Sequence, residues 1–532
     1  MDFLALYAAS QPDKPAVIDD RPGAPVVNWS YAELDRRVNQ LSHHLIGLGV
    51  SPSTKVVWCG QNSAPLIAGS NAIRRVGAVG VPLNYRLAPD EAAYVIDNCD
   101  AAVVYVDAEY ADLIESIRDR IPKVADVLVF GGEGTFEKAL AAGPDSAPGV
   151  PDEVIDGSAT MIYTSGTTGK PKGAVRSASR IDPKVAAGFI ALIGYQLDDI
   201  YLTTGPLYHS GPGGFAGVAQ ALGNTVIVQH KFDPEDWLRL VETYRVTTTF
   251  TAPTPIRMVC NLPAAVKDRY DRSSIKRLIA NAAPWTLALK KMYLADFPSD
   301  SLWEVYGSTE LGVDTVLAPA DHLRKPGSCG LPAPGIEIRL FDESGQEVTE
   351  PFRTGELYVR SETVFDAYYK ASEKYDAATR GDFHTVGDIA YRDDDGYYYI
   401  ADRKNDMIIS GGMNIYPAEI EAALDADPDI YEVAVFGVPN EEWGESVHAV
   451  VVPRRPGLTP EDVMAFAREH LAGYKVPRSV SFVEELPKTG SGKVLKRELR
   501  APFWPAADPG GPTALASGPG GESGSAGAGV PG

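Results

Sequence analysis

One stretch constrains this chain more than any other: Tyr163-Thr164-Ser165-Gly166-Thr167-Thr168-Gly169-Lys170-Pro171-Lys172-Gly173. Its glycines let the backbone turn so that successive N–H groups point inward. Ser165, Thr167 and Thr168 add hydroxyl donors, and Lys170 and Lys172 bring positive charge. The combination suits a cradle for a phosphate chain. It is not a Walker A loop, because only Thr167 and Thr168 separate Gly166 from Gly169 and Lys170 is followed by Pro171. A flexible Gly/Ser/Thr linker is the plainer reading. The order of hydroxyls, glycines and lysines directly after apolar residues 159–163 favours the binding loop.

The chain carries a formal net charge of −22, which argues against nucleic acid as a main partner. Anionic ligands must then be captured by local positive sites such as this loop. With 532 residues there is room for more than one domain, and 44% hydrophobic content is ordinary for a globular protein. Cys59, Cys99, Cys260 and Cys329 have no metal or redox spacing and read as buried thiols. No signal-like N-terminus and no apolar run of roughly 20 residues are present, so the expectation is a cytoplasmic protein without integral membrane association. Contact with a membrane surface and a homodimer stay open.

The first 150 residues alternate between helix and strand patterns. Leu34, Val38, Leu41 and Leu45 recur at helical steps within residues 30–48. Residues 55–59 and 101–106 are short apolar runs, expected as buried parallel strands, and the Ala/Gly-rich segment 64–78 between them as a tightly packed helix. Residues 225–228, 234–244 and 247–250 continue the alternation. This predicts doubly wound α/β architecture, with ligands at the carboxyl ends of strands. Residues 330–395 read as strand-rich, and Asp393-Asp394-Asp395-Gly396 as a hairpin turn rather than a calcium loop.

Further motifs stand downstream of the loop. Pro206-Leu207-Tyr208-His209-Ser210-Gly211 lies in a turn-rich stretch at an apparent strand end. Ile279-Ala280-Asn281-Ala282-Ala283-Pro284 is a run of small residues. Trp303-Glu304-Val305-Tyr306-Gly307-Ser308-Thr309-Glu310 joins an aromatic face, a hydroxyl and a carboxylate. Asp388 follows a glycine turn, Arg403 precedes Lys404-Asn405, and Pro487-Lys488-Thr489-Gly490-Ser491-Gly492-Lys493 closes the set. Taken together and in this order, these motifs resemble those of the adenylate-forming superfamily, in its acyl-CoA synthetase branch, over roughly residues 5 to 500.

The resemblance implies a large N-terminal AMP-binding domain (1–404) of doubly wound α/β subdomains plus a β-rich subdomain. It also implies a small mobile α+β lid (405–500) hinged near Asn405; composition alone predicts a disordered tail at 501–532. It further implies ATP and CoA as cosubstrates and Mg²⁺ held by Glu310. Thr164, Ser165, Gly166, Thr167, Thr168, Gly169 and Lys172 would bind phosphates, with Thr309 on the α-phosphate. Ala283, Tyr306 and Gly307 would bind adenine, Asp388 and Arg403 the ribose side, and Gly411 and Gly412 the pantetheine arm. Lys493 would contact the substrate carboxylate and α-phosphate, and His209 would gate the acyl pocket without transferring protons.

The family often carries a Gly pair where this chain has Asn281-Ala282, so the pocket wall should differ. The region of Tyr208 to Gly211 lacks the acid that amino-acid-activating relatives use. Small residues at 211, 213, 214, 252, 282 and 307 suggest a roomy apolar pocket for a fatty or bulky ring-bearing acid. A ligase that passes its acyl group to a carrier protein is the nearest alternative. Luciferase-like oxygen chemistry finds no support in the residues, and a non-catalytic nucleotide-binding protein would have lost Glu310 or Lys493.

Overall fold

In a computed structural model, residues 2–504 are described apart from 133–134, 165–169, 178–181, 405 and 490–491. The loop residues Ser165, Gly166, Thr167, Thr168 and Gly169, the expected hinge Asn405 and the expected tail from 505 onward lie outside the described residues. Helical periodicity at residues 30–48 becomes helix Tyr31–Gly47, started by Ser30, whose side chain accepts the Glu33 backbone N–H at 3.2 Å. Leu34, Val38, Leu41 and Leu45 form its buried stripe. Helix Ala64–Arg75 packs as tightly as its small residues require: a Cβ on Gly69 would overlap the Tyr105 ring. It ends before Ala78 because Gly77 turns left-handed at φ +72°, so the N–H groups of Gly77 and Ala78 bond back to Arg74 and Ile73.

Two large sheets carry the strands between residues 15 and 332, and Ala367–Tyr368 adds to the edge of one of them. A seven-stranded sheet holds Lys55–Cys59 at its centre, flanked in parallel by Val79–Leu83 and Ala101–Asp107, with Ala159–Thr164 and Lys172–Ser177 toward one edge. A nine-stranded sheet runs parallel through Leu302–Ser308, Arg277–Ala280, Thr248–Thr251, Ile200–Thr203, Thr225–Val228 and Pro15–Asp19, with antiparallel strands at both ends. One apolar cluster joins them, taking in Ile67, Tyr105, Val226, Phe250 and Val305. Strands expected from apolar runs are those buried on both faces, as parallel sheets demand.

The strand-rich region forms a six-stranded antiparallel sheet that includes Gly355–Arg360, Asp388–Arg392 and Tyr398–Arg403. The acidic run 393–395 is the hairpin between the last two, and Asp393 accepts the backbone N–H groups of Asp395 and Tyr397 at 3.0 and 2.9 Å. A fourth, mostly antiparallel sheet is built from Ile408–Ser410, Met413–Ile415, Ile430–Asn440, Gly444–Pro453 and Ser479–Phe482, covered by helices Pro417–Leu424 and Pro460–His470.

The segment after His209 departs from its turn-like composition. Ser210-Gly211-Pro212-Gly213-Gly214 opens helix Ser210–Ala221, with His209 as its N-cap residue. Glycines and a proline near a start are tolerated here because Pro212, Phe215, Ala216 and Ala219 are buried, and packing outweighs intrinsic propensity. No helix among the described residues is long and apolar enough to cross a membrane.

Candidate active site

Parallel neighbours end at a common edge, so the nine-stranded sheet delivers the segments after Thr203, Thr251, Ala280 and Ser308 to one place. These segments carry His209, Ala252 and Thr254, Asn281 to Ala283, and Thr309 with Glu310. Thr164 and Lys172, the described flanks of the glycine- and hydroxyl-rich loop, belong to the other sheet. The two flanks are antiparallel strands in which Thr164 faces Lys172.

Glu310 stands where the two sheets meet. Thr164 Oγ1 donates to Glu310 Oε1 at 3.0 Å and the Tyr368 phenol donates to the same oxygen at 3.1 Å. Next to it, Thr309 Oγ1 and Ser210 Oγ are 2.8 Å apart. The turn is held from behind by Arg176, whose guanidinium donates to the carbonyls of Thr309 and Thr363. Lys172 lies over the Tyr368 ring at 5.2 Å, and burial together with the neighbouring Lys374 lowers its pKa. A carboxylate fixed by two hydroxyls beside a lysine can organise a cation on an incoming phosphate chain.

Tyr306 and Asp388 form the second group. The Tyr306 hydroxyl donates to Asp388 Oδ2 at 2.5 Å, and Arg403 Nε lies 3.2 Å from Asp388 Oδ1. Asp388 and Arg403 are register partners across the hairpin, which fixes the pair through backbone pairing alone. Burial, followed by the charge of Asp388, raises the Tyr306 pKa far above its ordinary value, so the ring stays neutral. Across from it, Asn281 Nδ2 donates to the Val305 carbonyl at 2.5 Å, and Ala282 sits at φ +73°. The departure from a Gly pair therefore costs left-handed backbone at Ala282, while Asn281 ties the strand end to the Tyr306 strand.

Three of the small-residue positions, Gly211, Gly213 and Gly307, do not leave open volume. A Cβ on Gly211 would overlap the Phe250 ring, one on Gly213 would meet the Leu207 carbonyl at 2.5 Å, and one on Gly307 would overlap the Gly312 carbonyl. Only Gly214 faces open space in that group of glycines. Of these, only Gly211 packs against an aromatic ring, in a group where Phe215 and Phe250 stack at 4.9 Å and Phe189 lies 6.3 Å from Phe215. His209, the N-cap of the helix that carries Phe215, has its Nε2 buried and unpartnered among the described residues, and burial plus the charge of Arg86 pushes its pKa down to about 4. A neutral imidazole fits a gate and does not fit an acid catalyst.

Lys493 reaches the same edge from the C-terminal sheet. Its loop is closed by the Thr489 N–H donating to the Lys493 carbonyl at 2.8 Å, and Thr254 Oγ1 donates to the Gly492 carbonyl at 3.2 Å. Lys493 is exposed by surface area, yet protein crowds it on the cleft side. Lost hydration and the charge of Arg403 lower its pKa to about 8, against the opposing pull of Asp388 and Asp406. Gly411 and Gly412, by contrast, are exposed on the turn between Ile408–Ser410 and Met413–Ile415. Both have positive φ, and the Gly411 N–H donates to the Trp443 carbonyl at 2.8 Å. Ala283 and Gly307 flank the Asn281–Val305 tie.

Sequence reasoning missed Tyr368, Ser210 and Arg176. Tyr368 lies 58 positions from Glu310 in a short edge strand, Ala367–Tyr368, and no local pattern links them. No cluster of three or more metal-ligating side chains occurs among the described residues. That donor set fits Mg²⁺ arriving on a nucleotide, since this ion takes one or two carboxylates and completes its shell with phosphate and water. Glu310 would be the protein's ligand.

Residues 4–369 match the AMP-binding enzyme family and residues 419–493 its AMP-binding enzyme C-terminal domain. An indoleacetate–CoA ligase of Aromatoleum aromaticum is 34% identical over 94% of this chain and 97% of its own length. The fatty acid–[acyl-carrier-protein] ligase ScoC of Streptomyces coeruleorubidus is 31% identical, covering 94% of this chain and 95% of its own. Among solved structures, the anthranilate CoA ligase AuaEII in complex with anthranoyl-AMP superposes with a TM-score of 0.85 at 26% identity, covering 94% of this chain and 96% of that one.

Proposed function

This chain belongs to the AMP-binding enzyme family and is an acid–thiol ligase, and we propose that it joins a hydrophobic, ring-bearing carboxylic acid to coenzyme A through an acyl-adenylate. The observation that carries the reading is the convergence of Glu310, Asp388 and the Lys493 loop on one strand edge beside the Phe215–Phe250 wall. The ring-bearing class is favoured by the stacked Phe215 and Phe250 rings, which suit a planar group better than a long flexible chain. The indoleacetate and anthranilate enzymes act on ring acids, and that likeness points the same way.

In this reading the acid's carboxylate oxygen attacks the α-phosphorus of ATP, pyrophosphate leaves, and the mixed anhydride forms. Tyr306 and the segment Asn281 to Ala283 receive adenine, and Asp388 accepts the ribose hydroxyls while Arg403 neutralises it. Thr164, Lys172 and the loop between them hold the phosphates, and Thr309 donates to the α-phosphate. Mg²⁺ bound to Glu310 would screen the charge of the phosphate chain. Lys493 supplies a cation between the two approaching anions, where it is worth most as charge redistributes. The CoA thiol then attacks the activated carbonyl, losing its proton, and AMP departs. The two half-reactions need different groups at one centre, so the C-terminal domain 405–500, carrying Lys493 and the Gly411–Gly412 turn, has to rotate between them.

Mass spectrometry tests this with ATP, Mg²⁺, CoA and a panel of acids from acetate through long-chain, aryl and steroid acids. Acyl-CoA from the ring-bearing members, abolished by Lys493→Ala, is the expected result; preference for acetate or an amino acid overturns the substrate class. A second reading, transfer to a carrier protein, is favoured by the likeness to ScoC. Adenylate and AMP formed without acyl-CoA would select it.

A further inference from the structure

Helix Pro253–Cys260 touches the C-terminal sheet region at both of its ends. Its first turn gives the Thr254 bond to Gly492, next to Lys493. In its last turn, Arg257 Nη1 lies 2.9 Å from Asp425 Oδ1 and also donates to the Tyr431 carbonyl at 3.2 Å. Asp425 caps the end of helix Pro417–Leu424, and its other oxygen, Oδ2, accepts from the Thr286 hydroxyl. Thr286 in turn caps helix Leu287–Asp296 by accepting the Leu289 N–H. One carboxylate from the C-terminal region is thus gripped, oxygen by oxygen, by two helices of the large region. The Arg257 and Asp425 side chains are only 10% and 5% exposed.

We infer that Arg257 and Asp425 are positioning residues for the first half-reaction: the pair is a clasp that sets Lys493 over the acyl site and has to open before the thiol step. The inference rests on the proposed adenylation role of Lys493. The pair is buried because the two regions are docked, so separating them returns both charges to water. A buried ion pair offsets its desolvation by its attraction and is near neutral in net worth, which suits a contact made and broken in each cycle. Removing one partner, however, leaves the other buried and uncompensated, so the docked arrangement specifically loses population. The helix that carries Arg257 is also the one that carries Thr254, which bonds the Gly492 carbonyl, so the clasp and the Lys493 loop share one rigid element.

The test uses the full chain with Asp425→Asn and Arg257→Ala, and Arg257→Lys as the conservative variant. ATP–pyrophosphate exchange, run with the acid selected by the panel above, should fall about tenfold or more in kcat with ATP KM within about twofold. Thioester formation from synthetic acyl-adenylate and CoA should stay within about twofold or rise, and Arg257→Lys should recover part of the exchange rate. A substrate-free readout accompanies it: spin labels on Lys291→Cys and Arg468→Cys, both exposed positions, exploit the burial of all four native cysteines. The unaltered pair should give one dominant distance, and Asp425→Asn should broaden it. Equal loss in both half-reactions, no loss in either, or an unchanged distance distribution overturns the clasp. Absence of exchange in the unsubstituted enzyme would instead overturn the adenylation reading, while the spin-label distances still judge the clasp.

Discussion

The Tyr306 hydroxyl donates to Asp388 Oδ2 at 2.5 Å, joining the edge of the nine-stranded sheet to the antiparallel sheet that carries Arg403. Asp388 is buried, so each of its hydrogen bonds offsets part of a desolvation cost. Tyr306→Phe keeps the ring for stacking and deletes only this bond, which to a charged acceptor is worth about 1.5–3 kcal/mol. The expected result is an ATP KM raised about tenfold with kcat little changed, read by steady-state kinetics. An unchanged KM would show that the nucleotide does not depend on the orientation of Asp388.

The lowered pKa of Lys493 gives a pH signature. The ammonium form, which the proposed adenylation sets between two anions, is fully present well below about 8 and is lost as pH rises through that value. In free-enzyme terms, kcat/KM for ATP should decline above pH 8, approaching about tenfold per unit. Lys493→Arg keeps its charge throughout and should remove the alkaline limb, at a lower absolute rate. A wild-type profile flat to pH 9.5 would contradict the role of the ammonium.

His209 should add no inflection near its ordinary value, because burial and Arg86 hold its pKa at about 4. Substituting His209→Ala should leave the pH profile between 5.5 and 7.5 unchanged in shape while altering the ranking of acids by kcat/KM. A lost acidic limb in the variant would instead make His209 a proton carrier.

Two glycines of the site should respond oppositely to a methyl group. At Gly307 a Cβ would overlap the backbone carbonyl of Gly312, which cannot step aside without breaking the hairpin register. Gly307→Ala should destabilise by at least about 1–3 kcal/mol, seen as a lower urea midpoint and loss of activity. Gly214 has nothing within 4 Å, so Gly214→Ala should be tolerated and mildly favour its helix. Similar midpoints for the two variants would refute this packing.

Ala282 offers a stabilising change. It holds φ +73°, a region that costs an L-residue about 1 kcal/mol and glycine almost nothing. Ala282→Gly should raise the thermal midpoint, with ATP KM changed by less than about twofold if the Asn281–Val305 tie keeps the strand end in place. A lowered midpoint would mean that the chain entropy of the added glycine outweighs the strain.

Much of the architecture was legible because it is written locally. The spacing of Leu34, Val38, Leu41 and Leu45 specifies one face of a helix, and an apolar run such as residues 101–106 can be buried on both faces only inside a parallel sheet. The helix after His209 was not legible, since Gly and Pro argue locally against it and only the burial of Phe215 and Ala219 argues for it. Likewise, Gly211 was read as opening space, whereas the structure fills that place with the Phe250 ring.

The sequence by itself determined which chemical groups the chain owns and in what order: a hydroxyl- and lysine-bearing loop, the Tyr306 to Glu310 segment, Asp388, Arg403 and Lys493. Tertiary structure alone decided which groups meet. Glu310 is held by a tyrosine 58 positions away, Tyr306 by an aspartate 82 positions away, and Asp425 by an arginine on a helix of another sheet region. The reason is physical: periodicity reports the face a residue presents to its own element. Contact between faces, and with it burial, charge pairing and the shift of a lysine toward neutrality, exists only once separate sheets have packed.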